Sequence, residues 1–294
     1  MIVAVGGGHG LAASLRALRR ITDDVTAVVS VADNGGSTGR LRRTTAQAAP
    51  GDLRKCLVAL AEPNSALARS MEFRFDEGEL DGHALGNLLL SAMSEVCGGL
   101  APALVELGAL LGVRGRVLPA TVEPVDLVAV TVDGREVRGQ VSVMGTQGID
   151  RVTLTPPDAH VAPDVLERIA AADMIVLGPG SLYTSVLAAT AVPAVTEAID
   201  ASTAPLVYVC NLRPQEGETS GYGVADHVAA LHRHGLRPDV VLFDPKLAGA
   251  EGVEGAVSAR LATADSNVHD PHLLEQALRS LLARDLNWRA THQI

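Results

Sequence analysis

Six short polar segments carry nearly all the side chains of this chain that are suited to chemistry. Gly7, Gly8, His9 and Gly10 follow an apolar run and lead into a stretch with helical spacing. Glycines let a ligand approach the backbone, and the helix start that follows offers unpaired N–H groups and a positive dipole end to a phosphate. The competing reading is a tight strand-to-helix turn without a ligand. The pattern is not a clean GxGxxG fingerprint, because Leu11 stands where the third glycine is needed, and no Lys-Ser or Lys-Thr follows as in a Walker A loop.

Asp33, Asn34, Gly35, Gly36, Ser37 and Arg40 form a second such segment. An aspartate at a strand end is placed to meet a ribose, or a Mg²⁺ on a diphosphate, and Arg40 to pair with an anion. An ordinary Gly-rich loop with an Asx-turn is the alternative. Gly51, Asp52 and Arg54 come next, and taken alone Asp52 reads as a helix cap. His83 and Asn87, four apart, are expected on one helix face, as ligand contacts or as a buried hydrogen-bonded pair. Gly178, Gly180, Ser181, Thr184 and Ser185 describe a phosphate nest: glycines flank Pro179 at a strand end, and hydroxyls follow at a helix start. The alternative there is a plain Gly-Pro turn. Asn211 and the run 215–219, ending in Thr219, complete a polar rim. His227 reads as packed or solvated, and His232 and His234 as a solvated helix end. The nine His and three Cys show no zinc spacing, and neither GxSxG nor a Ser-His-Asp order occurs.

These segments need a scaffold to position them. Residues 2–5 and 25–32 read as strands buried on both faces, with a helix over 11–20 between them, which makes a right-handed βαβ unit. Strands over 174–177, 206–210 and 240–243 each enter a polar loop. A helical stretch covers 52–112, and 127–143 reads as a hairpin turning at Asp133-Gly134. Prolines 156, 157 and 163 mark a loop before a helix near 165–171. The Ala-rich spots over 46–49 and 188–191 read as helix or small-residue packing. A last helix is expected over 273–284, after a polar loop over 265–271 placed to close over a pocket; His269-Asp270 reads there as a helix cap. The fold class is α/β: a Rossmann-like, mainly parallel sheet with helices on both faces, plus a helical insert and a β-hairpin, as one domain over 1–294.

Composition narrows the function. Of 294 residues 47% are hydrophobic and 20% charged, which excludes a disordered chain. The net charge of −10 makes nucleic acid and anionic membrane surfaces poor partners, while a small anion in one local pocket stays allowed. Cys56, Cys97 and Cys210 read as buried free thiols of a reducing compartment. With no signal-peptide pattern and no apolar run of membrane-spanning length, a cytoplasmic protein is expected. A homodimer is the base-rate expectation.

Taken together and in order, GGGHG, VSVADNGGSTGRLR, PGDLRKCLVAL, LDGHALGNLLL, VLGPGSLYTS and VCNLRPQEGETSGYGVADHV closely resemble the YvcK-like, or gluconeogenesis factor, proteins of bacteria. These share a superfamily with 2-phospho-L-lactate transferase, the CofD-type enzyme of deazaflavin coenzyme synthesis. The resemblance implies a protein that binds UDP-sugars such as UDP-N-acetylglucosamine or UDP-glucose. It also implies a role in cell shape and peptidoglycan precursor supply on gluconeogenic carbon, with an unidentified protein partner in cell-wall synthesis. Two residues depart from the family pattern: His9 stands where Thr is common, and Asn34 where a second consecutive acid is common. A Mg²⁺ site would then rest on Asp33 and Asp52, which favours binding over catalysis, with no cofactor required.

On this reading diphosphate oxygens sit on the amides of residues 7–10 and 180–181 and pair with Arg40 or Arg54, while Asp33 or Asn211 takes uridine or sugar hydroxyls. Two alternatives stay open. One is a Mg²⁺-dependent transferase with a guanosine diphosphate donor and a flat deazaflavin acceptor, for which three Phe, three Tyr and one Trp supply few stacking surfaces. The other is an NAD(P)-binding oxidoreductase, against which Leu11 counts.

Overall fold

A computed structural model describes residues 1–45, 48–62 and 65–283. The chain opens with β1 (Ile2–Gly6), α1 (Gly8–Leu18) and β2 (Val25–Val29), and every residue of both strands is buried. Such strands need cover on both faces, which explains their continuous Val/Ile/Ala composition. Next come α2 (Gly36–Thr45), α3 (Gly51–Leu60), α4 (Ala66–Glu72), α5 (Leu85–Val96) and α6 (Leu100–Leu110), and the chain returns to the sheet as β3 (Arg116–Pro119). An insert follows, made of β4 (Asp126–Thr131), β5 (Glu136–Arg138), α7 (Gln140–Met144) and β6 (Ile149–Thr155). The second half runs α8 (Pro163–Ala170), β7 (Met174–Leu177), a π-turn (Leu182–Val186) into α9 (Leu187–Thr190), then α10 (Pro193–Ala201) and β8 (Leu206–Val209). It ends with α11 (Val224–Arg233), β9 (Val240–Phe243), β10 (Ala256–Ser258) and α12 (Pro271–Leu282).

Seven strands form a parallel sheet in the order β10-β9-β8-β7-β1-β2-β3. From β1 the chain steps outward to β2 and β3, and from β7 it steps the other way. The winding therefore reverses between β1 and β7, and in an open α/β sheet the crevice at the carboxyl ends of those strands is where ligands bind. Helices α1, α3 and α12 pack together as one layer, and α8, α9 and α10 as another.

The insert departs from the expected hairpin over 127–143. Its turn forms at Asp133-Gly134, with Gly134 in the left-handed region at φ 84°. Gln-Val-Ser-Val-Met alternates as a strand would, yet folds as α7 after Gly139, burying Val143 against β4. The free edge of β4 is taken instead by β6, giving a three-stranded antiparallel sheet. Three smaller differences lie at helix starts. The expected loop over 33–40 becomes α2 from Gly36 onward, α1 starts at Gly8, and α3 has Pro50 rather than Asp52 at its N-cap position. Asp270 does cap α12, accepting from the amides of His272 at 2.8 Å and Leu273 at 3.1 Å. Ala46, Gln47 and Arg284 lie outside the described residues. Among the described residues no single helix is long and apolar enough to cross a membrane.

One close approach holds the reversal together. A Cβ at Gly10 would meet the Pro179 carbonyl and sit 2.6 Å from Gly180 Cα, so α1 can seat against the β7 loop only with hydrogen there. Gly10→Ala should therefore cost about 1–3 kcal/mol through overpacking, read as a melting temperature several degrees lower.

Candidate functional site

The carboxyl ends of β1, β2, β7 and β8 open onto one cavity of about 1160 Å³. Its floor begins with α1, where Gly7 is extended at the N-cap and no side chain caps the helix. The first N–H to bond back is Leu11, to the Gly7 carbonyl at 3.3 Å, so the amides of Gly8, His9 and Gly10 have no partner within their own helix. Together with the helix dipole they favour an anion at this point.

Asp33 and Asp52 face the cavity beside that helix start. A Cβ on Gly7 would lie 2.6 Å from Asp52 Oδ2, so the glycine makes room for the carboxylate. Lys55 Nζ pairs with Asp52 Oδ1 at 2.9 Å, one turn further along α3. Asp33 Oδ1 accepts the Gly35 amide at 2.8 Å, which is the anticipated Asx-turn. Burial, and next the Asp52 carboxylate, raise the Asp33 carboxyl above its ordinary range, against the Gly35 amide and Thr38 hydroxyl that lower it. His9, partly exposed on the cavity floor, is lowered by burial and then by the Lys55 charge, so its imidazole is neutral at pH 7.

The opposite wall is a closed hydrogen-bond ring. Gly180 N–H donates to Asn211 Oδ1 (3.2 Å), Asn211 Nδ2 to Gln215 Oε1 (3.1 Å), and Gln215 Nε2 to Ser181 Oγ (3.1 Å). The Gly180 amide expected to hold a phosphate is therefore already engaged by a side chain. Ser185 completes this wall, packed against Gly7 and Gly8. The insert supplies a third wall through Gln140, Val141, Met144 and Gln147, and the loop before α12 a fourth through Asn267, Val268 and His269. His269 donates from Nε2 to the Cys210 carbonyl at 3.1 Å, and burial pushes its pKa down to about 4.

Of the residues singled out in the sequence, Gly7, Gly8, His9, Gly10, Asp33, Asp52, Gly180, Ser181, Ser185 and Asn211 line the cavity. The others stand back from it. Asn34 turns toward the insert, its Oδ1 accepting the Val141 amide at 3.1 Å, and Gly36 begins α2 on the surface. Ser37, Arg40, His83 and Asn87 gather in a separate cluster: Ser37 Oγ lies 3.1 Å from His83 Nδ1 and accepts from Asn87 Nδ2 at 3.2 Å, and Arg40 Nε donates to His83 Nε2 at 3.0 Å. His83 and Asn87 do not share a helix face, because α5 starts only at Leu85. Arg40 and Arg54 do not serve as the cavity's cations. Arg40 reaches out to the Asp81 carbonyl at 2.7 Å, and buried Arg54 donates to the Met71 carbonyl at 3.1 Å. Gly51 packs on the Asp33 carboxylate and Thr38, and the Gly178 carbonyl accepts the Ser14 hydroxyl at 2.7 Å. The Thr184 amide is bound by Glu218, and Thr219 Oγ1 accepts the Gln215 amide at 2.9 Å. His234, expected in solvent, instead accepts the Val152 amide of the insert at 3.0 Å. His227 is buried.

Lys55 was the main omission. Its three-residue spacing from Asp52 puts both on one helix face, a signal present in the sequence. The insert residues carried no such signal, since only the folded chain brings α7 over the sheet. Cys56 and Cys210 are buried thiols, raised by burial (to about 12 for Cys210), whereas Cys97 is half-buried. Among the described residues no cluster of three or more His, Cys, Asp or Glu exists to hold a metal. Asp33 and Asp52 nevertheless suit a hard ion such as Mg²⁺, which takes one or two carboxylates and completes its shell from phosphates and water.

A parallel sheet with its crevice at the winding reversal, a glycine-walled cavity and an uncapped helix start beneath it defines a Rossmann-like α/β protein. The chain belongs to the CofD family: the family described as 2-phospho-L-lactate transferase CofD matches residues 2–285. Its curated relatives include the gluconeogenesis factor of Halalkalibacterium halodurans, 43% identical over 93% of this chain and 85% of that protein. Another is the putative gluconeogenesis factor of Deinococcus radiodurans, 43% identical over 95% of this chain. This chain spans 65% of the Deinococcus protein's length. The crystal structure of a UPF0052 family member from Bacillus halodurans superposes with a TM-score of 0.88 at 38% identity, over 95% of this chain and 98% of that one.

The Asp33–Asp52 coupling can be measured. In Asp52→Asn the Asp33 carboxyl should titrate at lower pH than in the wild type, while remaining raised by its burial. A side-chain carboxyl NMR titration reads this directly, and an unmoved Asp33 would mean that the two groups do not interact.

Proposed function

We propose that this protein binds a UDP-sugar, UDP-N-acetylglucosamine or UDP-glucose, in the switch-point cavity and acts in the cytoplasm as a regulator rather than an enzyme. The observation that carries the reading is the uncapped start of α1 opening onto a cavity of about 1160 Å³. Ligand pockets commonly measure roughly 300–1,000 Å³, so this one has room for a nucleotide with an appended group. The diphosphate would take the amides of Gly8, His9 and Gly10, with Lys55 as its counter-charge. Asn211, Gln215 and Gln140 would meet hydroxyl and base edges. The relatives named gluconeogenesis factors support a role in carbon supply, and a link to cell shape and peptidoglycan precursors through a protein partner extends that role. No cofactor is required; where Mg²⁺ takes part, Asp33 and Asp52 would hold it beside the diphosphate.

A second reading, a Mg²⁺-dependent transferase of the 2-phospho-L-lactate type, draws on the same acidic pair and on the family description. A flat tricyclic acceptor would want an aromatic face, and the described cavity lining holds no Phe, Tyr or Trp. That favours binding.

The test is a thermal-shift panel with UDP-N-acetylglucosamine, UDP-glucose, GDP, NAD and NADP, each with and without Mg²⁺. A ligand at a hundred times its Kd adds about 2.7 kcal/mol to the native state, and UDP-sugars should give the largest shift. A larger response to GDP with Mg²⁺, or to a nicotinamide cofactor, would overturn the reading. Calorimetry on variants refines it. Lys55→Ala should weaken UDP-N-acetylglucosamine by about tenfold or more, since a hydrogen bond to a charged group is worth about 1.5–3 kcal/mol. Arg40→Ala, remote from the cavity, should bind as the wild type does.

A further inference from the structure

Glu218 is 1% exposed and lies immediately behind the cavity, after Gly217 of its wall. Its Oε2 accepts the Thr184 amide at 3.1 Å, the neighbouring amides of Leu182 and Tyr183 favour the ionised form, and its Oε1 and the Thr184 hydroxyl are buried without a hydrogen-bond partner. The three amides are the N–H groups that the first turn of the Leu182–Val186 element leaves unpaired. The backbone of the same residue donates to the Met144 carbonyl of α7 at 3.1 Å. One residue thus joins three cavity walls: the segment bearing Ser181 and Ser185, the 211–219 loop, and the insert. The anion that the nest over 178–185 invites is supplied by the protein itself. Of the groups facing Glu218, Tyr208 comes from β8, Tyr183 from the π-turn and the Met144 carbonyl from α7, with His227 of α11 beyond Tyr208.

We propose that Glu218 is the positioning residue of this cavity: its ionised carboxylate holds the π-turn and the 211–219 loop at the spacing a bound diphosphate needs, and its neutralisation lets them part. The inference rests on the UDP-sugar reading. Charge-assisted hydrogen bonds are about twice as strong as neutral ones, so a neutral group of the same shape is a weaker clamp.

Burial pushes the Glu218 carboxyl up to about 7. The group is therefore partly protonated at neutral pH, and the clamp tightens as pH rises through that value. The effect on stability has the opposite sign. A folded carboxyl raised above its unfolded value binds protons more readily than the unfolded chain, so its ionisation lowers stability as pH rises from the ordinary carboxylate range to about 7. The charge that organises the site is held against the stability of the fold.

Calorimetry with UDP-N-acetylglucosamine between pH 6 and 8, on the wild type and Glu218→Gln, tests this. Wild-type affinity should rise several-fold with pH; the variant should bind about tenfold more weakly at pH 8 with a flat profile, in line with the lost charge assistance. Its melting temperature should also fall less steeply between pH 5 and 8 than that of the wild type, which checks that Glu218 is the titrating group; the pH profile of affinity is the readout that a merely structural role would not move. Protonation of His9 or Asp33 would strengthen anion binding at low pH, so the sign separates them from Glu218. A variant with wild-type affinity and profile overturns the proposal. If the wild type binds no UDP-sugar, the functional reading fails on its own. Amide exchange of residues 182–184 at pH 8 then decides: faster exchange in the variant upholds the clamp and equal exchange overturns it. Should the variant not fold, a wild-type affinity that is flat from pH 6 to 8 overturns the proposal.

Discussion

The arrangement of this molecule depends on the backbone-to-backbone approach of α1 and the β7 loop where the winding of the sheet reverses. At that point a helix start must come within contact of a neighbouring loop while leaving its own first amides open to the cavity. Hydrogen at Gly10 permits the approach, and hydrogen at Gly7 leaves a socket for the Asp52 carboxylate. Because β1 and β7 are adjacent and buried along their length, the two loops have no freedom to drift apart at their strand ends.

The two glycine-rich segments look alike in composition, yet the fold uses them differently. The one after β1 leaves its amides without a partner inside the helix. The one after β7 has two of its amides engaged internally, Gly180 by Asn211 and Thr184 by Glu218. The buried Glu218 carboxylate there accepts the Thr184 amide, yet its Oε1 has no partner and burial still pushes its pKa up to about 7, so the charge is costly to the fold. The open helix start and the filled one face each other across the same space. That asymmetry gives the cavity one side with an open helix start and one side where amide and hydroxyl groups pair with one another, alongside Arg213 and Glu216.

Charge follows the same local logic. The chain carries a net charge of −10, but Lys55 stands on the floor beside the acidic pair. Lys55 pairs with Asp52 and lowers His9, while Asp52 raises Asp33. Arg42 ties the insert to the same region, donating to the Asp33 carbonyl at 3.2 Å and to Asp126 at 3.0 Å. The insert is thus fastened at both ends of the cavity, by Arg42 and Asn34 on one side and by the Glu218 amide on the other.

The one-dimensional pattern determined the parallel sheet, the βαβ start, the strand ends that carry polar loops and most of the cavity floor. Buried strands must be apolar throughout, and glycine and proline must mark the turns that leave them. Asp33 and Asp52 were legible as polar groups beside the strand ends, although each also had a structural reading, and Asp33 does form the Asx-turn with Gly35. What only the tertiary structure decided is which polar residues face the cavity and which serve one another. Arg40, Arg54, His83 and Asn87 have side-chain types equally suited to ligand or to structure, and their partners come from segments up to 50 residues away. The position of α7 was equally hidden, because an alternating five-residue run fits a strand or a helical turn alike. Docking on β4 settles the choice. Glu218 shows the limit most clearly: in sequence it is one acid in a polar rim, and only the fold buries its carboxylate against the first turn of the Leu182–Val186 element, where it accepts the Thr184 amide.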